Sequence, residues 1–195
     1  MRHIIYFSSK AVTSGGALRK KDLMEAGRID IAIHSIIQGL YLSHDIRKDT
    51  VIHLVFYGMP DPPKHIEIHG SKVKIAKKNI AKLLQKILYK YKEGERKEVL
   101  PGCFVEKKSL LNIVDEFLEK NSQVFVLDEN GKSIRDVDIE NSKDVVFVLG
   151  DQEGLPKKEL RRMKKTIQPV SVGNKTYFAS QTIVIVNNEL DFRNI

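Results

Sequence analysis

The segment Val145-Val146-Phe147-Val148-Leu149-Gly150-Asp151-Gln152-Glu153-Gly154-Leu155-Pro156 holds the residues best spaced to receive a ligand. A continuous apolar run passes straight into a turn with glycines at 150 and 154. Without side chains at those positions a ligand can approach the main chain closely. Peptide N–H and C=O groups in such a turn can read the edge of an adenine ring. Pro156 suits the first position of a following helix. The same pattern also describes a plain strand-to-helix turn, and from these residues alone both readings stand.

A second group, His65-Ile66-Glu67 with His69, could supply the His-x-Glu half of a zinc deaminase site. The cysteine pair that such a site needs is missing, because Cys103 is the chain's single cysteine. Alternation places His65, Glu67 and His69 on one strand face, which reads as a polar outer surface, and no metal is expected. Cys103 reads as a small buried hydrophobe. The chain contains no Gly-x-Gly-x-x-Gly, Walker A, Gly-x-Ser-x-Gly or His-Glu-x-x-His pattern, so dinucleotide, P-loop, serine-hydrolase and zincin sites are unsupported.

Charge narrows the partners. The net charge is +8, from 33 basic and 25 acidic residues. From Lys64 to Lys108 there are 13 Lys or Arg against 5 Glu and no Asp, an excess equal to that of the whole chain. Such a stretch attracts polyanions through counterion release. It is equally the solvated Lys-rich face of a heat-adapted protein. The 195 residues fit one domain, 1–195, in which about 60–108 is a basic region that could face RNA. One cysteine excludes an internal disulfide, which suits a reducing cytosol. The apolar stretch Ile4–Phe7 is too short for a signal-peptide core. No apolar run approaches the roughly 20 residues of a membrane span. A soluble cytoplasmic protein is expected.

The elements that must position these residues follow from periodicity. Residues 2–7 read as a first buried strand. Ser14-Gly15-Gly16 reads as a flexible loop, with a helical stretch from about Lys21. Ile29, Ile33, Ile36, Ile37 and Leu40 share one helical face within 28–43. Val51–Tyr57 is an apolar strand closed by Gly58-Met59-Pro60-Asp61-Pro62-Pro63, and 65–69 is a short paired strand. The clearest helix covers 75–92, with apolar residues from Ile80 to Tyr91 on one side and Lys77, Lys78, Lys82, Lys86 and Lys90 on the other. A polar stretch spans Glu93–Glu98, and a short helix covers 108–119. Strands follow at 123–127, 145–149 and 167–172. This alternation predicts an α/β fold with a largely parallel sheet and ligand loops at the C-terminal strand ends. Thr182–Val186 is β-branched throughout and locally reads as a strand.

Leu149–Pro156 and Phe178-Ala179-Ser180-Gln181-Thr182-Ile183-Val184-Ile185-Val186-Asn187-Asn188-Glu189-Leu190-Asp191 resemble two signatures of the SPOUT methyltransferases. Ala26-Gly27-Arg28-Ile29-Asp30 and Leu42-Ser43-His44-Asp45-Ile46-Arg47-Lys48-Asp49 resemble blocks of one branch, the archaeal tRNA pseudouridine-54 N1-methyltransferases. The resemblance spans nearly the whole chain. It implies helices on both faces of the sheet and a C-terminal trefoil knot, which general topology rules would not suggest. It also implies a homodimer that binds S-adenosyl-L-methionine and methylates pseudouridine in the tRNA T-loop. Three loops would hold the cofactor, through Leu127, then Leu149, Gly150, Gly154 and Leu155, then Ser171, Val172, Gly173, Tyr177 and Thr182. The family often has Cys where this chain has Thr182, so a cysteine nucleophile there is excluded and methyl transfer must be direct. It also places a helix, not a strand, at Thr182–Val186, with Ala179, Ile183, Val186 and Leu190 on one face.

Within that resemblance, Asp30 is the candidate to accept the pseudouridine N1 proton, with Arg28 beside it. The alternative is that Asp30 anchors its own helix. Arg28 and Arg47 are candidate phosphate or base contacts, although either could be a surface ion-pair partner. Lys77, Lys78 and Lys82 would add general attraction for RNA. The rival readings are a related rRNA pseudouridine methyltransferase, a SPOUT enzyme acting on ribose, and a non-catalytic RNA-binding protein.

Overall fold

The apolar run near the start forms strand β1 (Arg2–Ser8), followed by the short helix α1 (Gly15–Lys20). In the computed structural model, residues 1–20 and 22–195 are described. The helix expected from about Lys21 begins at a residue outside that set. Helix α1 instead starts inside the segment read as a loop, and residues 23–27 form turns. Helix α2 (Ile29–Leu40) follows, then β2 (Thr50–Phe56) and β3 (Lys64–His69). A 3-10 turn at Lys77–Asn79 leads into α3 (Ile80–Tyr89), shorter than the amphipathic pattern suggested. The polar stretch Glu93–Glu98 does not stay irregular. It runs into β4 (Lys97–Leu100), which pairs back on β5 (Cys103–Glu106) across the Pro101-Gly102 turn. Helix α4 (Leu110–Glu119) is capped by the Ser109 side chain, which accepts from the Asn112 N–H. Strand β6 (Gln123–Ser133), β7 (Val145–Gly150), α5 (Lys157–Met163), β8 (Gln168–Ser171) and α6 (Ala179–Phe192) complete the chain. Pro156 takes the N-cap of α5, one position before the first helical residue.

The eight strands form one sheet in the order β4-β5-β3-β2-β1-β7-β6-β8. From β2 to β8 every pairing is parallel, and β3, β5 and β4 extend it antiparallel. Side chains alternate across the pleat. Ile4, Tyr6, Ile52 and Leu54 pack with α2, α3 and α6 on one face, while Ile5, Phe7, Val55, Val146 and Val148 pack with α4 and Met163 of α5 on the other. The sheet is therefore covered by helices on both sides, and its parallel half ends along one edge. That edge carries the loops after β1, β2, β6, β7 and β8.

Two sequence conflicts resolve in favour of packing. Residues 182–186 are helical within α6, and Ala179, Ile183, Val186 and Leu190 are its buried face. Helix propensities differ by only tenths of a kcal/mol per residue, so burial against α2 decides. The second concerns His65, Glu67 and His69, which do not form an outer surface. His65 is buried beside His53, and Glu67 and His69 are largely covered. The Phe117 ring of α4 lies 4.7 Å from His3 and 5.5 Å from His53. Burial pushes the His3 imidazole down to about 4 and holds His53 well below its ordinary range, so both stay neutral near pH 7.

One ion cluster ties α6 to β1 and to the loop before β2. The buried Arg2 side chain donates to the Ile195 main-chain oxygen at 2.6 and 3.1 Å and to Asp191 at 2.7 Å. Arg47 donates a second pair to Asp191, at 2.7 and 2.5 Å. These bonds, from Arg47 first and then Arg2, hold the Asp191 carboxyl below the ordinary carboxylate range. Replacing Asp191 by Asn removes the carboxylate that Arg2 and Arg47 share, and leaves Arg2 with Asp49 at 3.3 Å as its remaining carboxylate side chain. The expected outcome is a loss of about 1–3 kcal/mol in urea unfolding at neutral pH, and unchanged stability would remove the cluster from the fold's energetics.

Candidate functional site

Strands β6, β7 and β8 end side by side, and the chain leaves each one at the same edge. The three exits enclose a cavity of about 600 Å³, a volume ordinary for a small-molecule site. Leu127, Leu149, Gly150, Gly154, Leu155, Ser171, Val172, Gly173, Tyr177 and Thr182 all line it. These ten residues fall in three separate stretches of the chain, and the parallel register of β7, β6 and β8 is what brings them together.

The turn after β7 is tightly closed. Asp151 donates its N–H to Phe7 at 2.9 Å, its carbonyl accepts from the Gly154 N–H, and its Oδ1 accepts from the Glu153 N–H. A Cβ on Gly150 would lie 2.3 Å from the Gly154 carbonyl carbon, so no other residue fits there without moving the main chain. Gly154 has φ +75°, a conformation L side chains rarely adopt. Lys10 and Ser9 of the loop after β1 clasp Glu153 from outside.

Arg28 and Asp30 do not line the cavity. Their neighbour Ile31 does, which puts the pair at its rim. Gly27 and Arg28 both have positive φ, +76° and +63°. A Cβ at Gly27 would strike the Lys10 carbonyl oxygen at 1.8 Å, so this tight contact demands glycine. Arg28 is a non-glycine residue in left-handed conformation, a strain that tends to collect at functional sites. Its guanidinium donates in a fork to Asp30, with Nε to Oδ1 at 3.0 Å and Nη2 to Oδ2 at 2.9 Å. That bond, with help from main-chain N–H groups of the first α2 turn, keeps the Asp30 carboxyl below the ordinary range. Asp30 is thus ionised at neutral pH.

Tyr6 lies outside every motif, and Asp151 stands in the Leu149–Pro156 segment without having been singled out. The Tyr6 hydroxyl and Asp151 Oδ2 are buried without a hydrogen-bond partner. Burial, followed by the nearby Asp151 and Asp30 carboxylates, pushes the Tyr6 hydroxyl upward, so it stays protonated. A polar tip inside an otherwise apolar strand was the only signal available.

The RNA candidates separate. Arg47 is withdrawn from that set, because its guanidinium is largely buried and held by Asp191. Lys77 is exposed, with its ammonium near the Leu42 carbonyl at 3.3 Å. Lys78 and Lys82 are exposed and carry no hydrogen bond or ion pair among the described residues. Across the sheet, His53, His65 and Glu67 form the one group of potential metal ligands among the described residues.

The family described as "Putative SAM-dependent RNA methyltransferase" matches residues 1–195. The chain belongs to this family of S-adenosylmethionine-dependent RNA methyltransferases. Within it, a relative from Methanocaldococcus jannaschii is 34% identical over 206 residues, covering 100% of this chain and 98% of its own. Another, from Methanopyrus kandleri, is 34% identical over 99% of this chain and 94% of its own. Both are named tRNA (pseudouridine(54)-N(1))-methyltransferase. Among solved structures, Archaeoglobus fulgidus Nep1 bound to S-adenosylhomocysteine superposes with a TM-score of 0.67 at 14% identity, over 99% of this chain and 98% of that one. At that identity the likeness is one of fold, an α/β architecture with a largely parallel sheet as expected above.

Gly150→Ala is expected to force the 150–154 turn open. Affinity for S-adenosylhomocysteine, read by calorimetry, should fall at least about tenfold, equivalent to 1.4 kcal/mol. Wild-type affinity in this variant would show that the tight turn does not shape the cavity.

Proposed function

We propose that this chain transfers a methyl group from S-adenosylmethionine to N1 of pseudouridine 54 in tRNA. The observation that carries the reading is full-length similarity to relatives of that name, at 34% identity. The site supports it. The cavity pairs apolar walls at Leu127, Leu149, Leu155 and Val172 with main-chain groups exposed at glycines, a donor set suited to an adenine ring and a thioether-like chain.

When bound, S-adenosylmethionine supplies an electrophilic methyl on a sulfonium. The protein's own part is positioning, desolvation and proton handling. The 149–155 and 171–182 segments exclude water and fix the direction of approach, which is worth several kcal/mol. Asp30, ionised at the rim, accepts a hydrogen bond from the pseudouridine N1–H and raises the nucleophilicity of that nitrogen. While Arg28 clamps it, Asp30 is a weak base. If Arg28 turns to a phosphate of the bound RNA, the clamp loosens and the carboxylate becomes a better proton acceptor as substrate arrives. The single cysteine, Cys103, is buried in β5 outside the cavity, so no covalent cysteine adduct takes part.

The chain folds, in this reading, as one domain whose C-terminal segment threads a trefoil knot. Support comes from β8 entering beside β6 and from α6 returning across the sheet onto α2, where Asn187 donates to the Gly39 carbonyl. The exposed lysines of α3 and the preceding turn face RNA. A second copy of the chain covers the apolar side of α6. Phe178 and Val184 are exposed there, and a smaller groove of about 270 Å³ runs between Gln38, Tyr177 and Val184. Tyr177 and Gln181 line both this groove and the main cavity, so a partner at the groove would border the donor site. No helix among the described residues is long and apolar enough to cross a membrane. The proposed site of action is the cytoplasm.

The function is tested with labelled S-adenosylmethionine and two tRNA transcripts, one carrying uridine at position 54 and one pseudouridine. Label should enter only the second. Incorporation into both, or into ribose, would replace the reading with another RNA methyltransferase activity. In the same assay Asp30→Asn should retain S-adenosylhomocysteine binding and lose about 10²–10⁴-fold in turnover; full turnover would remove Asp30 from the mechanism. Val184→Glu should shift the protein from dimer to monomer in light scattering, and an unchanged mass would move the interface elsewhere.

A further inference from the structure

Four of the chain's six histidines meet on the sheet face opposite α2, together with two glutamates. His53 stands on β2, and His65, Glu67 and His69 alternate along β3 where the sheet changes from parallel to antiparallel. His53 and His65 are each 3% exposed. Their rings stack at 12°, and His53 Nδ1 faces His65 Nε2 at 2.9 Å. Glu67 is paired with His53 across the ladder, and one ligand atom from each of His53, His65 and Glu67 lies within 4.8 Å of the others.

We propose that His53, His65 and Glu67 form a binding site for a divalent transition-metal ion of the Zn²⁺ type, clipping β2 to β3. The facing atoms are the ligand types such ions choose, two imidazole nitrogens and a carboxylate, leaving a fourth position for water. The partners behind them are arranged as metal sites require. A ligating histidine normally donates its second ring N–H to a carboxylate or another acceptor, which fixes the ring and raises its basicity. His65 Nδ1 lies 2.9 Å from Glu106 Oε1, and His53 Nε2 lies 3.0 Å from His3 Nδ1. Glu67 is steadied by His69 on one oxygen and by Arg96 at 3.1 Å on the other. Phe117 shields the cluster from above the His3 and His53 rings.

The protons balance. Without metal, His65 donates from Nδ1 to Glu106, so its Nε2 is a lone pair that accepts from His53 Nδ1–H. His53 Nε2 in turn accepts from His3 Nδ1–H. Metal at His53 Nδ1 displaces that proton to Nε2, which then donates to His3 Nδ1. The His3 proton moves to its own Nε2, 3.8 Å from Asp144. No proton leaves the protein. Two nitrogens about 2.1 Å from a tetrahedral ion sit roughly 3.4 Å apart, so the pair need open by only about half an ångström.

The test uses the full chain, stripped with chelator and titrated calorimetrically with ZnCl₂, with CoCl₂ as a spectroscopic probe. One saturable equivalent of Zn²⁺ per chain and a tetrahedral Co²⁺ ligand-field spectrum are expected. His65→Gln and the more accessible Glu67→Gln should each weaken Zn²⁺ binding at least about tenfold, whereas His34→Gln and His44→Gln, at exposed positions, should leave it unchanged. Circular dichroism identifies any variant that fails to fold, and Glu67→Gln then decides. Absence of saturable binding, or binding that survives Glu67→Gln at wild-type strength, would overturn the proposal.

Discussion

Gly150 and Gly154 touch through their main chains, and this contact sets the shape of the site. A single added carbon at position 150 would fall inside the van der Waals shell of the Gly154 backbone. The turn can therefore close only with a glycine at that point. Once closed, it sets Gly150 and Gly154 in the cavity wall beside Leu149. The Asp151 N–H fastens the turn to β1 through the Phe7 carbonyl, so strand pairing holds the loop in place.

The remainder of the parallel half serves the same edge. Strands β6 and β8 bring two more exits alongside, and α6 packs its β-branched face onto α2 behind them. Helix α2 begins at the strained Arg28, whose backbone is set by the contact of Gly27 with Lys10. Donor cavity and candidate base are thus fixed by two close glycine contacts, one at residue 150 and one at residue 27. The first lies within the turn that Asp151 fastens to Phe7 of β1, and the second meets Lys10 in the loop after β1. Motion of that one strand end would disturb both halves of the site together.

Much of this was legible in the sequence where a residue type answers a local demand. Apolar runs mark β1, β2 and β7 because parallel central strands are buried on both faces. The cavity residues were legible because resemblance places them in three loops, and the parallel register unites those loops. What local reading missed depended on distant partners. The start of β4 fell in a stretch read only as polar and β5 drew no reading, because the hairpin is held by the pairing of β5 with β3. The α6 segment looked like a strand, because only burial against α2 overrides its β-branched propensity. Arg47 stood open between an RNA contact and an ion pair, because its partner, Asp191, lies 144 residues away. The histidines were read as a solvated face because nothing in residues 65–69 reveals that His3, His53 and Phe117 close over them.

The central claim is that a main-chain turn after β7 grips the methyl donor, with the α6 segment closing behind it. A crystal structure of the protein with S-adenosylhomocysteine tests this most directly. The account predicts the ligand between Leu127, Leu149 and Thr182, its adenine edge hydrogen-bonded to peptide groups of the 149–155 and 171–182 segments. A ligand lodged elsewhere, or an adenine ring held only by side chains while the 150–154 turn stands apart, would contradict it.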